Sequence, residues 1–201
     1  MKKAILTFDD GYFEDYERAF LILKKRGLVG TSYIATADIG KAGYLSWDNI
    51  REMAKSDWDF QCHTHNHPKL TELSAEEIER EFRMVDNEFL RHSIPAPEHH
   101  AYPYGSNDEA VRQITKKYRR SGRGISGARG GGDYEIKSYG MNRKDIHSII
   151  NNSDTIFIHT HDIGNENRGY GIKIKKFVNL VDFLINNGFK IMPVKKYYEN
   201  T

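Results

Sequence analysis

The chain has 201 residues, of which 38% are hydrophobic and 29% charged, the composition of an ordinary globular protein. Its 30 basic and 28 acidic residues leave a formal net charge of +2, so the charge gives no reason to expect nucleic acid or an anionic membrane as a partner. The single cysteine, Cys62, excludes an internal disulfide framework. A chain of this length is expected to form one domain, here residues 1–201.

The N-terminal segment gives no sign of a targeting signal. A short apolar run follows Lys3, and Asp9 and Asp10 interrupt it at once. This run is too short for the apolar region of a signal peptide, and no stretch approaches the length that spans a bilayer. We therefore expect a soluble cytoplasmic protein without a membrane span, although a leader removed beforehand would leave the same sequence. The oligomeric state does not follow from the sequence.

Short apolar runs alternate with amphipathic helical patterns along the whole chain. In chain order these patterns predict a strand at 3–8, a helix at 13–26, a strand at 30–35, a helix at 47–55, a strand at 58–62, a helix from the capping box at 74–77 to about 91, a strand at 98–102, a helix at 107–118, a strand at 154–160, a helix at 172–187 and a strand at 189–194. The segment 121–132 is rich in Gly and Arg, and we interpret it as a surface loop with a strand stub.

Repeated alternation of strand and helix predicts an α/β protein with parallel strands and outer helices. A complete eight-fold barrel of this kind usually needs about 250 residues. The expected fold is therefore a shortened, irregular (β/α) barrel.

Acidic and imidazole side chains follow four of the predicted strands. The four segments are Thr7-Phe8-Asp9-Asp10-Gly11, His63-Thr64-His65-Asn66-His67-Pro68, Tyr102-Pro103-Tyr104-Gly105 and His159-Thr160-His161-Asp162. Because the carboxyl ends of parallel strands meet on one face, and ligands bind at that face, we expect these side chains to converge.

Asp9 and Asp10 are adjacent on an extended chain, so their side chains point to opposite sides. One can bind a metal while the other faces the substrate as a base. The alternative is a carboxylate turn that caps the next helix.

His63 and His67 are four residues apart, a spacing that suits two imidazole ligands. Together with one carboxylate they would form a three-ligand site with an open position, which is typical of a catalytic metal. Zinc suits such ligands, and cobalt, nickel or iron would also be accommodated. The alternative is a pair of polar surface histidines.

In this order, the four segments resemble the motifs of the NodB-type polysaccharide deacetylases (carbohydrate esterase family 4), and the resemblance runs from residue 5 to about residue 194. It implies a deformed (β/α) barrel and a divalent metal, usually zinc. It further implies specific roles, which are Asp9 as general base, Asp10, His63 and His67 as metal ligands, the backbone N–H of Tyr104 as an oxyanion donor, and His161 as general acid.

Two positions depart from the family pattern. Many members have an Arg that braces the base Asp two residues before the Pro of the third motif, where this chain has Ala101. Arg143 is our candidate for that base-orienting role, and a solvated surface charge is the alternative. His159 stands where relatives often carry an apolar residue of the acetyl pocket, so a polar residue here can signal a different acyl group.

The sequence therefore predicts a metal-dependent hydrolase that removes N-acetyl groups from an amino sugar or polysaccharide. The first alternative is hydrolysis of an amide or cyclic imide in a small non-sugar substrate, which a cytoplasmic location would favour. A catalytically inactive carbohydrate-binding module is the second alternative, and the pairing of a base with an acid argues against it.

Overall fold

The computed structural model describes residues 1–125, 132–164 and 170–199. In chain order the strands are β1 (Lys2–Asp10), β2 (Thr31–Ile34), β3 (Asp59–Cys62), β4 (His99–Ala101), β5 (Ser121–Arg123), β6 (Ser138–Gly140), β7 (Thr155–Thr160), β8 (Asp162–Ile163), β9 (Gly171–Ile172) and β10 (Phe189–Ile191). The helices are α1 (Leu21–Lys24), α2 (Trp47–Ala54), α3 (Ala75–Arg91), α4 (Glu109–Tyr118), α5 (Ile146–Asn151), α6 (Ile174–Asn186) and α7 (Val194–Glu199). A π-helix at Asp15–Phe20 leads into α1, and 3₁₀ turns occupy Leu70–Glu72 and Pro103–Gly105.

The strands form a nearly closed parallel barrel with helices outside it, which confirms the predicted fold class. The strand order is β5-β4-β3-β2-β1-β7-β6, and β10 pairs in parallel with the first part of β1. An isolated parallel bridge between Arg123 and Ile136 brings β5 to the segment that precedes β6. Among the helices in the described ranges, none combines the length and the apolar composition that crossing a bilayer requires.

Local signals account for two of the helix starts. Ser74 and Glu77 form the predicted capping box of α3. Asp108 caps α4, because its side chain accepts a hydrogen bond from the backbone N–H of Val111 at 2.9 Å, and the helix therefore begins two residues later than predicted. The expected strand stub in 121–132 is β5, but Ser121 and Arg123 are buried in the sheet and not on the surface. Residues 126–131 of that segment lie outside the described residues.

Alternation along the strands divides the apolar side chains into two clusters. The larger cluster lies between the strands and the helices, and Leu6, Phe8 and Ile158 belong to it. The smaller cluster fills the inside of the barrel and consists of Ile5, Tyr33, Ala101, Phe157 and Val194. Above this smaller cluster, polar residues line the inside of the barrel up to the carboxyl ends of the strands.

The last helix closes the opposite end of the barrel. The backbone N–H of Val194 donates to Thr31 Oγ1 at 2.9 Å, and that of Lys195 donates to Asp59 Oδ2 at 3.1 Å. Tyr197 packs edge-on against Phe157, with their ring centres 5.4 Å apart. The candidate site lies at the other end of the barrel, at the carboxyl ends of the strands.

Phe8 joins the barrel to its helical layer, and we expect Phe8→Ala to lower the free energy of unfolding by about 3–5 kcal/mol. The ring is fully buried, with centroids 5.5 Å from Trp58 and 5.9 Å from Phe177. Urea denaturation of both proteins measures the change. Phe13→Ala is the matched control, since Phe13 is 38% exposed and should cost about 1 kcal/mol or less. Equal losses would contradict this account of the core.

Candidate metal and catalytic site

The predicted convergence of side chains takes place at the carboxyl end of the barrel. β1 ends in Asp9 and Asp10, and the loop after β3 carries His63 and His67. His161 directly follows β7 and lies with its Nε2 atom 4.0 Å from Asp9 Oδ2. Three strand ends thus bring two carboxylates and three imidazoles together at one mouth of the barrel, as the sequence predicts.

Asp10, His63 and His67 form a compact triangle of ligand atoms. Oδ1 of Asp10 lies 3.4 Å from His63 Nε2 and 3.2 Å from His67 Nε2, and the two Nε2 atoms are 3.2 Å apart. Ligands about 2.0–2.1 Å from a tetrahedral zinc ion lie about 3.3 Å from one another. The spacing of the three atoms therefore fits a metal ion of this size.

The protonation of His63 strengthens this fit. Its Nδ1 atom lies 2.8 Å from the carbonyl oxygen of Ala101, which can only accept a hydrogen bond. Nδ1 therefore carries a proton, and Nε2 offers a lone pair. Asp10 Oδ1 is buried and accepts no hydrogen bond from the described residues. Two acceptor atoms that face each other without a proton between them repel, and a cation removes that repulsion. Two nitrogens and one carboxylate oxygen are ligands that zinc accepts.

Tyr104 borders the triangle. Its hydroxyl lies 3.2 Å from His67 Nδ1, and its side chain is 60% exposed at the mouth. The turn around it is closed by hydrogen bonds from Gly105 N to Tyr102 O and from Ser106 N to Pro103 O. Neither bond uses the N–H of Tyr104, whose residue has a positive φ of 58°. The turn thus leaves this N–H available to a ligand.

Glu81 of α3 holds the loop that carries His67. Its buried carboxylate accepts hydrogen bonds from the backbone N–H groups of His65 and Asn66, both at 2.8 Å, and from the Asn66 side chain at 2.7 Å. The loop needs this support because Thr64 and His67 both adopt positive φ angles, 66° and 57°, which are costly for residues other than glycine. His65 itself lies with Nδ1 2.8 Å from Thr36 Oγ1, away from the triangle.

Asp9 is paired with a buried arginine that the sequence did not indicate. Nη2 of Arg123 lies 2.6 Å and 2.7 Å from the two carboxylate oxygens of Asp9, and both side chains are almost fully buried. Nη1 of Arg123 donates to Ser138 Oγ at 2.9 Å, and its guanidinium lies 5.0 Å from the centre of the Tyr33 ring.

The prediction that Arg143 orients Asp9 is therefore wrong. Arg143 forms an exposed pair with Asp145, with contacts of 2.9 Å and 2.7 Å. Its position in the chain suggested the role, but the strand β5 brings Arg123 to the centre of the barrel instead.

The charges in the site keep both carboxylates ionised. Burial raises the pKa of Asp9, but the positive charge of Arg123 outweighs it and leaves the pKa below its usual value. Burial raises the pKa of Asp10 as well, and the contacts of its carboxylate with the side chains of His63 and His67 outweigh that effect. A cation between those two imidazoles, whether a proton or a metal ion, therefore favours the same ionised form of Asp10.

His159, on β7, lies one layer deeper in the barrel than His161. The centres of the two rings are 6.1 Å apart. The Nδ1 atom of His159 lies 2.8 Å from Ser138 Oγ, and the residue is only 9% exposed. Burial, and next the charge of Arg123, lowers the pKa of His159 to about 3, so the ring is neutral at physiological pH. The structure thus places a polar, uncharged ring beside the ion pair of Asp9.

Arg123, Ser138 and Glu81 are the residues of the site that the sequence reasoning missed. A buried arginine in a segment of glycines and arginines resembles a solvated loop, and the three-residue strand β5 is too short for a periodic pattern. Glu81 stands on the buried face of α3 beside Ile78, Phe82 and Val85. A charged residue on an apolar helical face is the one signal that could have identified it.

A family model described as polysaccharide deacetylase matches residues 1–121, more than half of the chain. The chain belongs to the polysaccharide deacetylase family, as the ordered motifs indicate. Because the match ends at residue 121, a single domain over 1–201 stays a prediction.

Individual relatives agree with this family. The Poly-beta-1,6-N-acetyl-D-glucosamine N-deacetylase of Staphylococcus aureus (strain MSSA476) is 30% identical over 126 residues, 55% of this chain and 43% of that protein. The chain thus spans less than half the length of this relative. The deacetylase PplD of Streptococcus pyogenes, solved in complex with acetate, has a TM-score of 0.59 and 26% identity, and the match covers 66% of this chain and 63% of that one.

A third comparison extends over nearly the whole chain. The Xyl-CE4 domain of a multidomain xylanase from the hindgut metagenome of Trinervitermes trinervoides has a TM-score of 0.71 and 16% identity, covering 99% of this chain and 90% of that one. At that identity the likeness shows the fold alone, including the strands and helices beyond residue 121.

Removal of the guanidinium of Arg123 should leave the Asp9 carboxylate buried without a counter-ion, so we expect Arg123→Met to lower the free energy of unfolding by about 3–5 kcal/mol at pH 7. Arg143→Met is the matched control. Its exposed pair with Asp145 is screened by solvent and should contribute far less. Denaturant unfolding of the metal-free proteins measures both, and a loss for Arg123→Met no larger than that for Arg143→Met would refute the assignment.

Glu81→Gln should weaken metal binding by about tenfold or more, because an amide cannot accept all the hydrogen bonds that fix the loop of His67. Competition with a chromophoric chelator measures the affinity for zinc. Glu79→Gln is the control on the same helix, since Glu79 contacts Arg83, Lys117 and Tyr118 at the surface. The same affinity in both variants would show that Glu81 does not support the ligand loop.

Proposed function

We propose that the protein is a metal-dependent deacetylase that hydrolyses the N-acetyl group of an amino sugar or its polymer. The observation that carries this proposal is the triangle of Asp10, His63 and His67 beside a second, ionised carboxylate, Asp9. A structural metal site does not require a second carboxylate beside its ligands, whereas hydrolysis of an amide needs a base next to the ion. Membership of the polysaccharide deacetylase family supports the choice of reaction.

Asp10, His63 and His67 would hold the ion, most simply Zn²⁺, with Co²⁺, Ni²⁺ or Fe²⁺ as chemically acceptable substitutes. A divalent ion held there supplies Lewis-acid polarisation of an amide carbonyl. Asp9 takes the proton from the attacking water, and Arg123 keeps its carboxylate ionised and fixed in orientation. The low pKa of Asp9 limits its strength as a base, so its contribution depends on position as much as on basicity.

His161 is the proposed general acid. It is partly exposed at the mouth, and its Nε2 atom lies 4.0 Å from Asp9 Oδ2. A water or amide nitrogen beside the two groups can therefore lie within hydrogen-bond reach of both a base and an acid. The N–H of Tyr104 donates to the oxygen that gains charge as the amide carbon becomes tetrahedral. The residues thus divide the work of proton removal, proton delivery and charge stabilisation.

The surroundings of the mouth support a sugar substrate. Tyr104 and Tyr170 are 60% and 70% exposed and lie on two sides of the site, against His67 at 4.8 Å and His161 at 5.3 Å between ring centres. Exposed aromatic rings offer the faces of sugar rings a flat apolar surface. The name of the Staphylococcus aureus relative refers to an N-acetylated glucosamine polymer. The cytoplasmic location stays a prediction.

The first experiment is to measure bound metal and acetate release in the same preparation. We expect about one metal ion per chain and release of acetate from chitooligosaccharides or poly-β-1,6-N-acetylglucosamine. Asp9→Asn should retain the metal and lose at least about 100-fold in kcat, since it removes the base but no ligand. His63→Ala should lose both the metal and the activity.

The matched control is His147→Ala, because His147 is an exposed histidine stacked on Phe183 at 4.3 Å, on the outer helix α5. It should change neither metal content nor rate. Bound metal without acetate release would favour hydrolysis of a small amide or cyclic imide, or a binding module without activity. Failure to bind zinc or cobalt tightly would overturn the proposal.

A further inference from the structure

The hydrogen bonds around Ser138 determine which nitrogen of His159 carries the proton. Ser138 Oγ lies 2.8 Å from the carbonyl oxygen of Gly124, 2.9 Å from Arg123 Nη1 and 2.8 Å from His159 Nδ1. Two oxygens at that distance need a hydrogen between them, so the single hydroxyl proton points to Gly124. Arg123 can only donate, and Nδ1 of His159 must therefore donate as well.

The opposite nitrogen, Nε2 of His159, is then an acceptor. It has no hydrogen-bond partner among the described residues. It lies on the side of Gly140, where a Cβ would stand 4.0 Å from it. Because the pKa of His159 is lowered to about 3, this nitrogen stays unprotonated at neutral pH. The site thus contains a fixed lone pair on a ring whose centre lies 6.1 Å from that of His161.

The position of His159 relative to the mouth of the barrel determines which part of a substrate it contacts. If the amide carbon lies between the metal ligands and Asp9, a large amine such as a sugar can extend only outward. The substituent on the acyl carbon must then point into the barrel, below His161. β7 places His159 there, and the register that pairs Thr7 with His159 sets it one layer below Asp9.

We propose that His159 selects an acyl group that carries a hydrogen-bond donor, namely hydroxyacetyl, in preference to acetyl. This inference rests on the proposed function. A methyl group at Nε2 would leave a buried acceptor without a partner, which is costly, whereas a hydroxyl group would donate to it. A site built around such a bond discriminates against the substrate that lacks the donor. The structure therefore assigns His159 as a specificity residue of the acyl pocket.

Binding of the free acids to the zinc-loaded protein tests this without any turnover. Hydroxyacetate and propionate differ by a hydroxyl in place of a methyl group and are nearly equal in size. We expect hydroxyacetate to bind with a Kd about tenfold lower in the wild type, the factor that one neutral hydrogen bond contributes. The preference should disappear in His159→Leu and persist in His147→Leu, which makes the same exchange on the surface.

Three results would overturn the inference. They are equal affinities in the wild type, no binding of either acid, and a preference that survives in His159→Leu, which would assign it to chelation of the zinc by the hydroxyl. Should His159→Leu fail to fold, ¹⁵N NMR of the wild-type imidazole decides. We expect a proton on Nδ1 and a shift of Nε2 on adding hydroxyacetate but not propionate, and a proton on Nε2 would contradict the proposal.

Turnover of matched substrates separates the two proposals. Values of kcat/KM are compared for N-hydroxyacetyl, N-acetyl and N-propionyl glucosamine oligosaccharides. A ratio of about ten or more in favour of hydroxyacetyl supports the inference, and a ratio of one or less contradicts it. If no sugar is hydrolysed but hydroxyacetate still binds preferentially through His159, the proposed sugar substrate is wrong while the acyl selectivity stands.

Discussion

The buried ion pair between Asp9 and Arg123 is the constraint on which the rest of the site depends. An isolated carboxylate at this depth would lose its charge, because burial alone raises its pKa. Arg123 reverses that effect, with one nitrogen in contact with both oxygens of Asp9. The guanidinium has to come from the far edge of the sheet, so β5 must curl round to face β1. The curvature that closes the barrel therefore also brings to Asp9 the cation that keeps it ionised.

The same cation has opposite consequences for two neighbouring groups. It stabilises the charged form of Asp9, an anion, and the neutral form of His159, whose protonated form would be a second cation. Ser138 completes the arrangement, because it accepts from Arg123 and from His159 and uses its only proton on a backbone carbonyl. One buried charge thus keeps the Asp9 carboxylate ionised and the His159 ring uncharged.

Sequence reasoning could predict that the proposed metal ligands lie together because their signal is local. Asp9 and Asp10 follow a continuous apolar strand, and His63 and His67 lie within five residues of each other after another strand. The role of Arg123 depends on a contact 114 residues away, and its strand has only three residues. The requirement for glycine at position 122, next to Arg123, also comes from a residue distant in the sequence, since a Cβ on Gly122 would lie 2.2 Å from the hydroxyl of Tyr102. Neither contact leaves a periodic pattern in the sequence.

Ala101 and Arg123 together explain why the sequence misled us about the partner of Asp9. The chemistry requires a guanidinium at one point in space, and it does not specify the strand that supplies it. Ala101 on β4 packs in the inner apolar cluster with Tyr33, while its carbonyl oxygen accepts a hydrogen bond from Nδ1 of His63. Its small side chain adds little volume beside Tyr33, whose ring lies against the guanidinium from β5. The position where the resemblance leads us to expect an Arg is thus an alanine in this chain, and the neighbouring strand β5 supplies the guanidinium instead.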